Sequence, residues 1–411
     1  MPVLYNIFIY FYYYYILFAS LFNKKARQWV AGRKDLFNRL SSAINPDDKL
    51  AWFHCASLGE FEQGRPVIEA FKKKHPEFRI MLTFFSPSGY NIRKNYKIAD
   101  CVIYLPVDTR RNARKFIELA NPTLAVFVKY EFWFNIIGQL HKRKIPVFII
   151  SANFRPGQHF FKWYGRWFRK MLKKISLFFV QYTDSKELLE KIGIDKVIVS
   201  GDTRFDRVAA IAGKKEDLPF MDKFRKEKTI ILAGSTWPKD EDILLEYYRK
   251  AEGDLKLIIA PHEVHEERIR QLEAKIKSNF IRYTKIEDND PGNANILIID
   301  TIGLLSGLYR YAKIAYIGGG FGVGIHNILE AVTFGKPVIF GPNYQKFREA
   351  RELIQMGGAF SISKMTQFKE IINKLLDDPH AYAESSGICT DYISLHKGAT
   401  DIILSKLDDF I

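Results

Sequence analysis

Apolar residues in this chain fall into short runs that alternate with stretches of helical periodicity. Residues 49–54 (KLAWFH), 79–85 (RIMLTFF), 101–105, 124–128, 146–151, 177–181 and 197–201 read as strands. Between them, residues 61–74 place Val67, Ile68 and Phe71 on one helical face, and a second helix is predicted around 111–119. The alternation resumes with strands at 229–233, 255–260, 296–299, 315–317 and 338–340, and helices at 240–251 and 265–276. Near-continuous apolar strands alternating with helices predict an α/β protein with parallel sheets covered on both faces. Residues 209–225 are polar and irregular, the best linker candidate. The predicted division is an anchor at 1–24, a Rossmann-like domain at 25–208, a linker at 209–228 and a second Rossmann-like domain at 229–388. A final segment, 389–411, with a helix over 391–410, is expected to fold back across the first domain, and the two domains are expected to face a cleft.

Residues 3–22 break the pattern: apolar all round, without a charge and rich in tyrosine. The length suits a bilayer crossing, whereas the tyrosines suit a helix lying at the headgroups. A buried core helix is the soluble alternative. Lys24, Lys25, Arg27, Arg33 and Lys34 follow, which predicts an N-terminal anchor with the remainder on the cytoplasmic side. Across the whole chain, 62 Lys and Arg against 46 Asp and Glu give a net charge of +16, which favours an anionic partner. Residues 158–174 interleave basic and aromatic side chains. That composition fits an amphipathic helix on anionic phospholipid, single-stranded nucleic acid, or a solvated helix. The apolar N-terminus favours lipid over nucleic acid. Cys55, Cys101 and Cys389 are too far apart for a metal or disulfide framework.

The densest candidate chemistry lies at residues 316–350. A strand ending at Ile317 runs into Gly318, Gly319, Gly320, Gly322 and Gly324, and a helix is predicted from about His326. Such a turn lets backbone N–H groups approach a phosphate, and His326, Asn327 and Glu330 then project towards one crevice. The bland reading is a tight turn and a capped helix. The functional one is a nucleotide or nucleotide-sugar site, with Glu330 on sugar hydroxyls. The other polar loops predicted at strand ends contain Glu60, Glu131, Arg204, Ser235, Thr236, His262, Glu263 and residues 300–303. HExxH, CxxC and Walker A are absent, as is GxSxG, so the reading calls for neither a metal nor a serine hydrolase.

HCASLGE (54–60), VSGDTRFD (199–206), AGST (233–236), DTIG (300–303) and GGG…HNILEA (318–331) together resemble the lipid A Kdo transferases, which transfer 3-deoxy-D-manno-octulosonic acid (Kdo) in lipopolysaccharide assembly. The resemblance implies a GT-B fold and an inverting, metal-independent transfer from CMP-Kdo to a lipid A precursor at the inner membrane, with no cofactor beyond the donor. It also implies that Glu60 is the general base and that Arg204, standing where Lys is common, is a cation for the departing phosphate or the donor carboxylate. CMP contacts are implied for His262, Glu263, Ile302, Gly303, Leu304, Asn327, Ile328, Leu329 and Glu330. Leu304 replaces a usual acid, so only its backbone is available. Ser235 and Thr236 are candidates for phosphate or carboxylate, or simply for a helix cap. Many relatives carry Glu-x-Glu where this chain has Lys129-Tyr130-Glu131. Either Glu131 substitutes or the positive charge of the transition state is met in another way. The alternatives are a UDP-sugar glycosyltransferase and, more remotely, a membrane-associated RNA-binding protein.

Overall fold

The computed structural model describes residues 2–45, 47–214, 217–251 and 255–411. The chain forms two compact units, Met1–Arg207 with Lys397–Ile411, and Val208–His396. Most of the expected linker is helical, as Thr203–Gly213 and Pro219–Arg225. Lys215 and Glu216 within it lie outside the described residues.

In the first unit β1 (Leu50–Cys55), β2 (Arg79–Phe84), β3 (Cys101–Tyr104), β4 (Leu124–Val128), β5 (Val147–Ala152), β6 (Leu177–Val180) and β7 (Val197–Val199) form one sheet. Its order is β3-β2-β1-β4-β5-β6-β7 and every pairing is parallel. Alternate side chains of each strand serve opposite faces. Trp52, Phe127 and Ile149 join one buried cluster, while Phe53, Val126 and Phe148 join another. Burial on both faces is why these strands read as unbroken apolar runs. The chain reverses direction across the sheet between β1 and β4, and the C-terminal edge there is the usual ligand crevice of such sheets.

The helix expected over 391–410 is two helices, Pro379–His396 and Ala399–Leu407, separated at Gly398, whose φ of 109° ends the first and starts the second. The second helix lays Ile403, Leu404 and Leu407 on the first unit's sheet cluster. Asp206 fixes it by accepting from Gly398 N, Thr400 N and Thr400 Oγ1, each at 2.6 Å.

The second unit repeats the plan with β8 (Thr229–Thr236), β9 (Leu255–Pro261), β10 (Phe280–Arg282), β11 (Ile296–Ile298), β12 (Ile314–Ile317), β13 (Val338–Phe340) and β14 (Ala359–Ser361). The order is β10-β11-β9-β8-β12-β13-β14, again all parallel. The edge strands β10 and β14, three residues each, were not foreseen.

The amino-terminal helix Pro2–Ala19 lies against the first unit. Ile9 is buried with Trp29 and Val107, and Tyr12 rests on Trp29 and Phe85. Two polar contacts pin it: Tyr5 OH donates to Asp108 at 2.6 Å, and Asn135 Nδ2 donates to Asn6 Oδ1 at 3.0 Å. Asp108 also accepts from Asn135 N and Ile136 N, capping the helix Phe134–Lys142. The opposite side, Leu4, Phe8, Phe11, Tyr15 and Phe18, is an exposed apolar stripe. No single helix among the described residues is long and apolar enough to cross a membrane. Residues 158–174 are not one amphipathic helix. They form two 3₁₀ turns, His159–Phe161 and Trp163–Gly165, followed by the helix Arg166–Leu172. Their rings mostly pack on protein, with Phe160 and Phe161 against Phe154 and Trp167 against Phe134 and Tyr5, while Trp163 points outward.

Candidate active site

In the first unit the ends of β1, β4 and β7 bring together the ionisable groups singled out in the sequence. Glu60 lies in the first turn of the helix Leu58–Lys74, half-buried, where the positive end of the helix dipole favours a carboxylate. Ser57 Oγ donates to the Glu60 carboxylate and fixes its rotamer. Glu131 is held from behind by Trp133 Nε1 at 2.9 Å and by His54 at 3.3 Å. Fully buried His54 is oriented in turn by Thr83. The Thr83 hydroxyl accepts from Trp52 Nε1 at 2.8 Å and lies 2.8 Å from His54 Nδ1, while the ring's Nε2 lies 3.3 Å from both Glu131 and Trp133 Nε1.

Arg204 sits at the start of the helix Thr203–Gly213 with Nε and Nη2 on buried Asp202 at 2.8 and 2.7 Å. Lys129, following β4 with φ of 66°, is half-buried. Burial lowers its pKa, and the charges of Glu60, Arg204 and Asp202 all act on it. The Glu60 and Glu131 carboxylates in turn both act on the fully buried Cys55 thiol, whose pKa is pushed up mainly by burial. These mutual effects put Glu60, Glu131, Lys129 and Arg204 in one electrostatic neighbourhood. Cys55 itself is a core residue and an unreactive thiol.

The second unit's residues gather at the ends of β8, β9 and β12. A Cβ on Gly318 would run into the Ser235 backbone, and Gly319 has φ of 93°, so both positions need glycine. Ser235 itself is held at φ of 53°, strain of the kind that accumulates where a turn is pinned for a purpose. Asp240 anchors the turn, accepting from Gly319 N at 3.0 Å, Tyr316 OH at 2.7 Å and Trp237 N at 2.8 Å. Thr236 is buried, and its hydroxyl donates to Glu241, which also pairs with buried Arg268. Neither Ser235 nor Thr236 caps the next helix; Asp240 does.

Beside this turn the rings of Trp237, His262 and His326 stack, with centroids at 4.9 and 4.3 Å. Trp237 Nε1 donates to His326 Nε2 at 3.2 Å, so the neutral ring carries its proton on Nδ1. Burial, aided by His262, lowers the His326 pKa to about 4. Glu330 is oriented by Ser306 Oγ at 2.6 Å and Asn327 Nδ2 at 3.1 Å. Ile328 and Leu329 are buried and offer only backbone, whereas Ile302 and Gly303 are exposed and Leu304 is half-buried. Glu263 is exposed and 3.5 Å from His265.

The helix expected from His326 is only Leu329–Val332. The preceding residues are tied to the glycine turn, His326 N to Gly318 O and Ile325 N to Asn343 O, which draws them out of helical geometry. Four residues make no useful helix dipole, so any anion here is met by loop backbone and side chains. Trp237, Ser306 and Asp240 were not foreseen. The only signal was a tryptophan directly after AGST.

Residues 32–207 match the family described as 3-deoxy-D-manno-octulosonic-acid transferase (kdotransferase). The chain is 29% identical to a 3-deoxy-D-manno-octulosonic acid transferase of Aquifex aeolicus, over 79% of this chain and 85% of that protein. The amino-terminal part of the chain thus matches the Kdo transferase family, and most of its length is similar to Kdo transferases. The chain is also 27% identical to a bifunctional glycosyltransferase/methyltransferase of Fusobacterium nucleatum, over 82% of this chain and 54% of that protein, and so spans about half of that relative's length. Among solved structures, UDP-GlcNAc 2-epimerase from Neisseria meningitidis bound to UDP-GlcNAc superposes with a TM-score of 0.60. It covers 88% of this chain and 99% of that one at 20% identity, a likeness of fold alone. The two Rossmann-like units have the GT-B-like α/β fold that the Kdo transferase resemblance implied.

Proposed function

We propose that this chain transfers Kdo from CMP-Kdo to a hydroxyl of a lipid A precursor, with inversion and without a metal. In the proposed step the acceptor oxygen attacks the anomeric carbon as its proton passes to Glu60. The bond from that carbon to the CMP phosphate oxygen breaks, and CMP departs with the electron pair near the positive charge of Arg204. Glu131, oriented by His54 and Trp133, is assigned to the developing positive charge on the sugar. In the second unit, Glu330 is assigned to the ribose hydroxyls, and the ring stack and glycine turn to the rest of CMP. The observation that carries the reading is a half-buried Glu60, fixed by Ser57, in the electrostatic neighbourhood of Lys129 and Arg204.

The same reading sets the protein on the cytoplasmic face of the inner membrane, with the stripe from Leu4 to Phe18 in the phospholipid interface. A helix pinned to protein along one side supports lying in the interface over crossing the bilayer. Mass analysis of product from CMP-Kdo and a defined lipid A precursor, with EDTA present, is the test. One or more added Kdo residues support the reading. Failure to form product in EDTA, with recovery on adding a divalent cation, removes metal independence. Thermal stabilisation by UDP but not by CMP rejects the Kdo donor in favour of a UDP-sugar.

A further inference from the structure

Lys129 has no assigned part in the proposed reaction, yet it stands among the groups that perform it. It follows β4, and its N–H extends the parallel ladder by donating to Ile150 O at 2.9 Å. Its backbone is left-handed, with φ of 66°, a conformation that glycine adopts freely and a lysine only at a cost. Ser151, near the end of the neighbouring β5, is left-handed too, with φ of 56°. The surroundings hold this edge in place. The Ser151 hydroxyl lies 2.9 Å from Thr203 Oγ1, and Thr203 Oγ1 donates to Gln63 O at 2.6 Å. Those two bonds tie β5 to both helices that present Arg204 and Glu60.

The two cations of the cluster are held differently. Arg204 is clamped on buried Asp202 through Nε and Nη2. No carboxylate pairs with the Lys129 ammonium, and nothing accepts a hydrogen bond from it, among the described residues. The side chain is half-buried while its ammonium stays open to solvent. An ammonium with three donors, partly withdrawn from water and without an acceptor, is relieved by an anion that a ligand brings. The proposed donor brings two anions, the CMP phosphate and the carboxylate of the ulosonic acid. That carboxylate is bonded directly to the anomeric carbon, so whatever receives it lies beside the atoms on which Glu60 acts. We infer that Lys129 receives this carboxylate and so makes the protein selective for an acidic ulosonic sugar over one without the acid. The inference rests on the proposed Kdo transfer. The pairing exists before the reaction as well as during it, so it bears on KM for the donor more than on kcat.

The test compares CMP-Kdo with its carboxyl methyl ester as donor, by kcat and KM at one acceptor concentration, in the wild type and in variants at Lys129. The wild type is expected to prefer the acid. Lys129→Met, which keeps the length and loses the charge, is expected to raise KM for CMP-Kdo about 10-fold to 100-fold. KM for the ester and CMP affinity by calorimetry are expected to stay unchanged, so the acid-to-ester ratio of kcat/KM falls by the same factor. The intrinsic reactivities of the two donors cancel when that ratio is compared between proteins. Lys129→Gly suits the left-handed backbone, and it is expected to lose the same preference with no loss of thermal stability, which separates charge from strain. Lys129→Arg is expected to retain most of the preference. An unchanged ratio in Lys129→Met or Lys129→Gly overturns the inference. So does an unchanged ratio accompanied by a shifted pH profile of kcat, which would make Lys129 a positioning group for Glu60. Absence of Kdo transfer by the wild type removes the proposed function itself, and this inference with it.

Discussion

The two units share a frame, seven parallel strands with the first strand of each near the middle, yet they use its C-terminal edge in opposite ways. In the first, the groups at the edge are ionisable and only half-buried: Glu60 on Ser57, Glu131 on His54 and Trp133, and Arg204 on Asp202. In the second, the acids are consumed as scaffolding. Asp240 and Glu241 are fully buried, satisfying Gly319, Tyr316, Thr236 and Arg268. What the second unit presents is mostly neutral: a ring stack, strained backbone and an oriented amide, with Glu330 and Glu263 as the acidic exceptions. In the proposed function, one frame serves proton transfer in one unit and recognition in the other. Position at a strand end does not assign a role; what holds each side chain does.

That contrast is open to attack at several points. Within the first unit, Asp206 is an acid with a structural duty. Asp206→Ala removes three charge-assisted hydrogen bonds and is expected to cost about 3–5 kcal/mol in denaturant unfolding. A smaller effect is expected from Gly318→Ala, about 1–3 kcal/mol of overpacking, together with loss of nucleotide-induced thermal stabilisation. Trp237→Ala removes a stacking partner worth about 0.5–1.5 kcal/mol, so CMP affinity by calorimetry is expected to fall by about threefold to tenfold.

A further effect is one of pH. The His326 pKa is depressed in the fold, so the unfolded chain binds the extra proton first as pH falls. Its contribution is present above pH 6.5 and is lost as pH falls towards 4. Discounted for partial solvent exposure, the loss is about 1–2 kcal/mol. His326→Asn is expected to flatten that slope in urea titrations between pH 6.5 and 4.

Much of this frame was legible because burial on both sides leaves an unmistakable run such as LAVFV at residues 124–128. The strands that escaped, β10 and β14, are three-residue edges with half-buried neighbours, too brief to carry a pattern. Residues 3–22 were ambiguous for a different reason. Hydrophobicity reports that a face favours leaving water, not what receives it, and here protein receives one side while the other is exposed. The short helix after Asn327 was over-read because Ile328, Leu329 and Val332 have helical spacing, while the ties to Gly318 and Asn343 are long-range. Trp237 was missed because a lone tryptophan carries no spacing. The pairing of His54 with Glu131 joins β1 to the loop after β4 and had no local signature.

The central claim is that the first unit supplies a base and the second supplies the grip, and Glu60→Gln separates the two. The variant keeps a side chain of the same shape that Ser57 still reaches, but it cannot take a proton. Steady-state transfer from CMP-Kdo and calorimetric CMP binding, measured on one preparation, are expected to show kcat reduced by about 100-fold to 10,000-fold with CMP affinity unchanged. Transfer near the wild-type rate with CMP still bound would contradict the account.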